Sequence, residues 1–196
     1  MRQSSARAAP TRRKIVTSSI AEFQRNGIEG GSIAGVMAAA GLTVGGFYNH
    51  FDSKAQLLSE SLDLSVEQLV KRLELAATEK KAQALKNFEA VISDYLSPDH
   101  RDRDSGCPFA GLASELARGD QHMRERAVLG FERLVALLSI TLEGRLSGEL
   151  RARSVLTMCA MMGALTISRT AQGSELSSEV LDLVRRQLMQ DIAGDR

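Results

Sequence analysis

Aromatic residues are nearly missing from this chain: eight in 196, and none of them Trp. Proline is as scarce at three, and cysteine scarcer at two. Two cysteines cannot form the disulfide framework of a small secreted domain, and no signal peptide is evident. A reducing cytoplasm is therefore the expected compartment. The longest apolar run, "VLTMCAMMGALTI" from Val155 to Ile167, is shorter than the about 20 residues a bilayer span needs. It reads as a helix buried on most sides, so no membrane partner is expected. Strand-like alternation, phosphate-binding loops and Ser-nucleophile motifs are all lacking. No His/Cys/Asp cluster has metal-ligand spacing, which leaves neither a metal nor a cofactor to expect. What remains is rich in Ala, Leu, Glu, Arg and Met, the strong helix formers, and an all-α fold follows.

Charge is divided unevenly. Residues 1–54 carry seven Lys and Arg against three acids, whereas residues 55–196 carry eighteen against twenty-one. A basic first quarter on an acidic remainder points to an anionic partner for the first quarter, nucleic acid among the candidates.

Residues 1–10, "MRQSSARAAP", read as a disordered basic arm, with Thr11 capping a first helix after Pro10. Ile15, Val16, Ile20 and Phe23 form its apolar stripe, and Asn26-Gly27 stops it. Ser32 caps a second helix, Ile33 to Ala40, with Val36 and Met37 inward. Gly41 ends it, Leu42 is a buried hinge, and Thr43 caps a short third helix from Val44 to His50. Ser53 caps a long fourth helix whose stripe is Leu58, Leu62, Val66, Leu69 and Leu73, spaced 4, 4, 3, 4. "DHRDRDSG" is expected to be a charged loop. Five further helices are read at 80–96, 108–118, 121–146, 150–171 and 177–192, the last capped by Ser177 or Ser178, which makes about nine in all.

Three of the eight aromatics crowd into "LTVGGFYNHFDSK", as Phe47, Tyr48 and Phe51. The surrounding helix, Gly41-Leu42-Thr43 turn, helix has helix-turn-helix spacing, whose second helix enters the DNA major groove. Phe47 and Phe51, one turn apart, share a face and pin the short helix to a small core. Gly45 and Gly46 each cost about 1 kcal/mol in a helix relative to Ala, which makes sense where the face must approach DNA closely. Tyr48 and His50 are suited to donate to phosphate oxygens, and Lys54 adds a cation nearby.

The segment from Thr11 to Leu58 resembles the N-terminal domain of TetR/AcrR-type bacterial transcriptional regulators. The resemblance is carried by Ile15, Phe23, Gly27, Gly30, Ser32, Ala40-Gly41-Leu42, Phe47-Tyr48-Asn49-His50-Phe51 and Ser53-Lys54, about a quarter of the chain. It implies a three-helix DNA-binding domain over 11–52 and a helical effector-binding and dimerisation domain over 53–196. It also implies operator DNA as partner, a homodimer, and ligand-responsive repression. The expected DNA-facing set is Ser32, Ala34, Thr43, Val44, Gly45 and Gly46, with Tyr48, Asn49, His50 and Lys54. Base reading would fall to Thr43, Val44 and Asn49, with Val44 against thymine methyls. The chain departs from the family pattern at Gly31, at Ala34, where the family often has a basic residue, and at Gly46, which lacks a phosphate-reaching hydroxyl.

Beyond residue 58 the resemblance is one of architecture, apart from "GCPFAGLASEL", similar to a helix start in one branch of the family. Cys107 opens that helix behind Arg101 and Arg103, an environment that would lower a thiol pKa and favour a thiol sensor. The alternative is a small buried residue. A thiol enzyme would want a base or second Cys beside it, and none flanks it, so no enzyme is expected. Cys159 reads as packing inside the apolar helix. Phe88, Tyr95, Cys107, Phe109, Phe131, Met158 and Met162 are the expected lining of an effector pocket. The last two helices are expected to form the dimer contact. Ala160, Gly163 and Ala164 would allow close approach, and Leu181, Val184 and Leu188 would supply the apolar stripe.

Overall fold

A computed structural model of the chain describes residues 3–79, 84–142 and 150–194. Among these residues are nine α-helices and one 3-10 helix, and no strand. Helix α1 (Gln3–Gly30) already differs from expectation: the arm is helical from Gln3, and Thr11 lies within the helix rather than at its start. Pro10 lies inside α1, where it gives up one ladder hydrogen bond, and the Ala- and Arg-rich residues around it are strong helix formers. The ladder breaks where the sequence placed its stop, at Gly27, whose φ of 75° is the left-handed conformation open to glycine. Ile15, Val16, Ile20 and Phe23 are all buried.

Helix α2 (Ile33–Ala39) is capped by Ser32, whose Oγ accepts from the Gly35 N–H at 2.9 Å. Its far end closes with paired bonds from the Gly41 N–H to the Ala38 carbonyl and from the Leu42 N–H to the Met37 carbonyl, around a Gly41 φ of 67°. Leu42 itself is half-buried rather than buried. The third helix is a 3-10 helix, Val44–Asn49, and not an α-helix, and Thr43 makes no side-chain cap to it. Two successive glycines supply little propensity for a longer helical run. Ser53 does cap the next element, α3 (Lys54–Glu79), by accepting from the Gln56 N–H at 3.1 Å.

The chain continues through α4 (Ala84–Tyr95), α5 (Pro98–Arg101), α6 (Pro108–Arg118), α7 (Gln121–Leu142), α8 (Leu150–Thr170) and α9 (Glu175–Gly194). The starts and ends expected at Lys80 and Leu146 lie outside the described residues. The segment expected to be a charged loop opens with α5, capped by Ser97 and carrying a buried His100. Helix α9 begins at Glu175, so neither Ser177 nor Ser178 caps it. Ser177 is instead buried within it, where it exchanges hydrogen bonds with Ser168 of α8.

Two apolar cores result. The first gathers Ile15 and Phe23 of α1, Val36 and Met37 of α2, Phe47, Phe51, and Leu58, Leu62 and Val66 of α3. Leu112 and Leu116 of α6 and Met123 of α7 complete it. The second gathers Leu69, Leu73, Phe88, Tyr95, Leu134, Leu138, Met158, Met161, Leu165 and Leu181. The single stripe of α3 is thus shared, three residues to one core and two to the other, so α3 joins the two. Full burial of each such side chain contributes about 1.5–3 kcal/mol. Two polar contacts add to the junction. The Glu115 carboxylate of α6 accepts the Ile28 N–H at 2.8 Å, just after the break at Gly27. The Gln24 amide donates to the Gly106 carbonyl at 2.9 Å.

Candidate nucleic-acid interface

Phe47 sets the site. It is fully buried, stacks on Phe51 with centroids 5.5 Å apart, and meets Tyr48 edge-on at 5.1 Å. With Phe47 anchored inward, the remaining residues of the 3-10 helix turn outward. Tyr48 is 69% exposed and Val44 49%. Thr43, Gly45 and Asn49 are exposed, and Gly46 and His50 half-buried. Nothing lies within 4 Å of the place a Gly45 Cβ would take, so that face is open to a close-approaching surface. Ser32 and Ala34, at the start of α2, are exposed as well. Among the described residues, no hydrogen bond or ion pair engages the side chains of Tyr48, Asn49 or His50. Their donors therefore remain available to a partner.

Lys54 departs from the expected picture. Its ammonium donates to the Glu29 carbonyl at 3.3 Å and lies 5.9 Å over the Phe23 ring. It is turned toward the carbonyl end of α1, where a cation is favoured, rather than outward. A cation that the sequence reading passed over stands closer to the motif. Lys14 is exposed on α1, and its Nζ comes within 3.6 Å of the position a Cβ on Gly41 would occupy. Arg12, by contrast, is committed inward: it pairs with Glu60 and covers the Phe51 ring at 4.1 Å. The glycine at position 31 also has a local cause. A Cβ there would stand 2.6 Å from the Phe23 ring and 2.9 Å from the Gly27 carbonyl oxygen, so a larger residue would push Phe23 out of its seat.

The residues expected around an effector do not converge on one cavity. Phe88, Tyr95, Cys107 and Met158 are sealed in the second core, and Met162 is half-buried against it. Only Phe109 and Phe131 line open space, a groove of about 330 Å³ between α6 and α7.

The two thiols exchange the environments expected for them. Cys107 is wholly buried at the start of α6, and burial pushes its pKa up, against smaller downward pulls from Tyr95, the α6 backbone and Arg169. The helix N-terminus and the arginines do not outweigh desolvation, so the activated-thiolate expectation is corrected. Cys159 is the exposed one. Beside Cys107 lies a polar cluster not expected from the sequence. His100 Nδ1 bonds the Tyr95 carbonyl at 2.7 Å, and Nε2 accepts the Cys107 N–H at 3.1 Å. That pairing requires the neutral ring, protonated on Nδ1. Burial, followed by the positive charges of Arg72, Arg169 and Arg103, lowers the His100 pKa to about 4 against the raising effect of the Tyr95 carbonyl.

The expected dimer residues divide. Ala164 and Leu181 point into the chain's own core. Ala160 is half-buried, and Gly163 is exposed with nothing within 4 Å of its Cβ position. Val184 and Leu188 line a groove between α8 and α9 together with Leu156 and Ala160. The large apolar residues left uncovered on these helices are Leu156, Ile167, Leu176 and Leu183. Helix α8 is long and apolar enough to cross a membrane by length and composition, but its Met158, Met161 and Leu165 are buried in the second core, as in a core helix.

A helix-turn-helix with a bare outer face, carried on an all-helical second domain, defines a DNA-binding regulator. The chain belongs to the tetR family of bacterial regulatory proteins: residues 15–60 match that family's description, and residues 81–187 match the LmrA/YxaF-like C-terminal domain of transcriptional regulators. It is 27% identical to the HTH-type transcriptional repressor DhaR of a Mycobacterium species over 147 residues, 72% of this chain and 71% of that protein. In fold it is similar to a TetR transcriptional regulator from Chloroflexus aurantiacus, with a TM-score of 0.83, 23% identity, and 98% of this chain and 97% of the other covered. It is likewise similar to reduced NemR from E. coli, with a TM-score of 0.76, 20% identity, and 90% and 96% covered.

Proposed function

We propose that the chain acts in the cytoplasm as a homodimeric repressor that grips operator DNA with the outer faces of its two 3-10 helices and lets go when a small molecule binds the second domain. The observation that carries the DNA half is the open face at Gly45, flanked by exposed Val44, Tyr48 and Asn49 and held by a buried Phe47. Val44 is placed for thymine methyls, Asn49 for a base edge, and Tyr48, His50 and Lys14 for phosphate oxygens. One helix-turn-helix makes few base contacts, and a twofold pair reads two half-sites. The uncovered Leu156, Ile167, Leu176 and Leu183 form an apolar surface on α8 and α9 that a second copy would cover. Release needs a ligand that prefers the non-DNA conformer by about 1–3 kcal/mol. The Glu115–Ile28 bond from α6 and the Gln24–Gly106 bond from the loop before it give this region a direct hold on α1 through which such a preference reaches the DNA-binding unit. The similarity to DhaR, named a repressor, supports repression as the outcome.

The deciding experiment is a gel shift on the DNA upstream of the chain's own gene. Gly45→Glu adds a carboxylate where the structure has free space, so the fold should persist, read by an unchanged thermal unfolding curve. Operator binding should be lost. Tyr48→Ala should weaken binding on every sequence without changing the salt slope, whereas Lys14→Ala should also reduce that slope by about one phosphate contact. Operator binding by Gly45→Glu as tight as the parent's would overturn the assignment of this face.

A further inference from the structure

The α6–α7 groove is walled by Phe109, Ala113 and Ala117 on one side and Ala127, Val128 and Phe131 on the other, with Arg124 at its rim. Its rings stand edge-to-face, with centroids 6.1 Å apart, and Val128 is 60% exposed at the lip. Such a wall offers a ring edge and a ring face to an aromatic guest. The volume of about 330 Å³ sits at the small end of ligand sites, room for one or two fused rings.

Charge decides which ligand. Arg124 is exposed and donates one N–H to the Gly119 carbonyl at the end of α6. It makes no ion pair among the described residues. The acids beside it in sequence have other partners: Asp120 caps α7 at the Met123 N–H, 2.8 Å away, and Glu125 accepts from the Gln121 amide at 2.8 Å. A guanidinium has five donors in a planar fork, so most of this one is open to a carboxylate or sulfonate. A neutral guest would leave that fork to water, and a cationic one would meet repulsion.

We infer that the α6–α7 groove binds a small aromatic anion, its rings against Phe109 and Phe131 and its acid group on Arg124. The inference rests on the ligand-responsive reading above and supplies the chemical class of its effector. The groove's wall is the helix whose Glu115 holds the Ile28 N–H, so a guest here presses on the element that touches α1.

The test uses the full chain and two probes with the same ring system, similar size and opposite charge, 1-naphthoate and 1-naphthylmethylammonium, followed by calorimetry and by naphthalene fluorescence, which no Trp in this chain obscures. Naphthoate should bind and the ammonium should bind at least about tenfold more weakly. Arg124→Gln should cost naphthoate about tenfold, the size of one charge-assisted bond. Ala117→Leu and Ala113→Leu, both at exposed positions, should block the groove while leaving thermal unfolding unchanged. Equal binding of the two probes, or naphthoate binding indifferent to these variants, overturns the site. Operator release is read separately by gel shift. Naphthoate binding that Arg124→Gln weakens, without release of DNA, would keep the site and count against ligand-responsive repression.

Discussion

The molecule carries two uncovered faces of opposite chemistry. At the DNA-binding end, the Phe side chains are withdrawn: Phe23, Phe47 and Phe51 are at most 1% exposed, and what remains outside is Gly45, the hydroxyls of Thr43 and Tyr48, the Asn49 amide and the small apolar Val44. On α8 and α9 the opposite holds: Leu156 is 69% exposed, and Ile167, Leu176 and Leu183 about half. The first surface suits a hydrated polyanion, which rewards donors and close approach. The second suits an apolar copy of itself. The same short helical chemistry produces both, and only the direction in which the bulky residues point distinguishes them.

The contrast is broken most sharply at Phe47. Phe47→Ala should remove about 3–5 kcal/mol from the first core, measured by chemical denaturation. DNA binding should vanish while light scattering still reports a dimer, because α8 and α9 are untouched. The complementary change is Leu156→Glu with Leu183→Glu. Both positions are exposed in the single chain, so the fold should hold and the mass should fall to that of a monomer. Cys159, on the same exposed side of α8, then becomes a reporter: N-ethylmaleimide should label it faster in the variant than in the parent, and Cys107 slowly in both. A parent that is monomeric at micromolar concentration would sink this half of the comparison.

A smaller effect belongs to His100 in the second core. Its folded pKa, about 4, lies below the ordinary histidine value of about 6.5. The folded state therefore resists a proton that the unfolded state accepts. The stability this represents is fully present above the unfolded pKa and drains away as pH falls toward the folded one. Between about pH 7 and about pH 5 the loss should be about 2 kcal/mol. Urea titrations at the two pH values would show it, and His100→Gln, which cannot take up the proton, should flatten the dependence.

How far these features could be read beforehand differs by region. Around residues 27–53 the punctuation is local. Ser32, Gly41 and Ser53 act at their own positions, and the helix ends fall where capping chemistry puts them. The helix type at Val44–Asn49 was not legible, because adjacent glycines weaken the α-helical preference without naming its replacement. In α8 the apolar pattern misleads. The buried side includes Ser154 and Ser168, satisfied by Ser139 and Ser177, while the outer side carries Leu156, Cys159 and Ile167. Serines that find partners across a helix pair look polar in sequence and behave as core. The phase of the helix was therefore misread at Ala164 and at Cys159. The approach of Lys14 to Gly41 was invisible for another reason: it brings the turn to a residue of α1 twenty-seven positions earlier, a separation no local pattern encodes.

Leu112 and Leu116 lend the first core two side chains from a helix that starts more than fifty residues after the DNA-binding motif ends. The consequence is for anyone who would treat the chain as interchangeable parts. A chimaera spliced at residues 52 and 53, grafting this reading head onto another body, would inherit a hole beside Ile20 and Phe23 and an uncapped Ile28 N–H unless the new body brought its own matching helix. The heritable unit of DNA recognition here is discontinuous: the first helices together with α6.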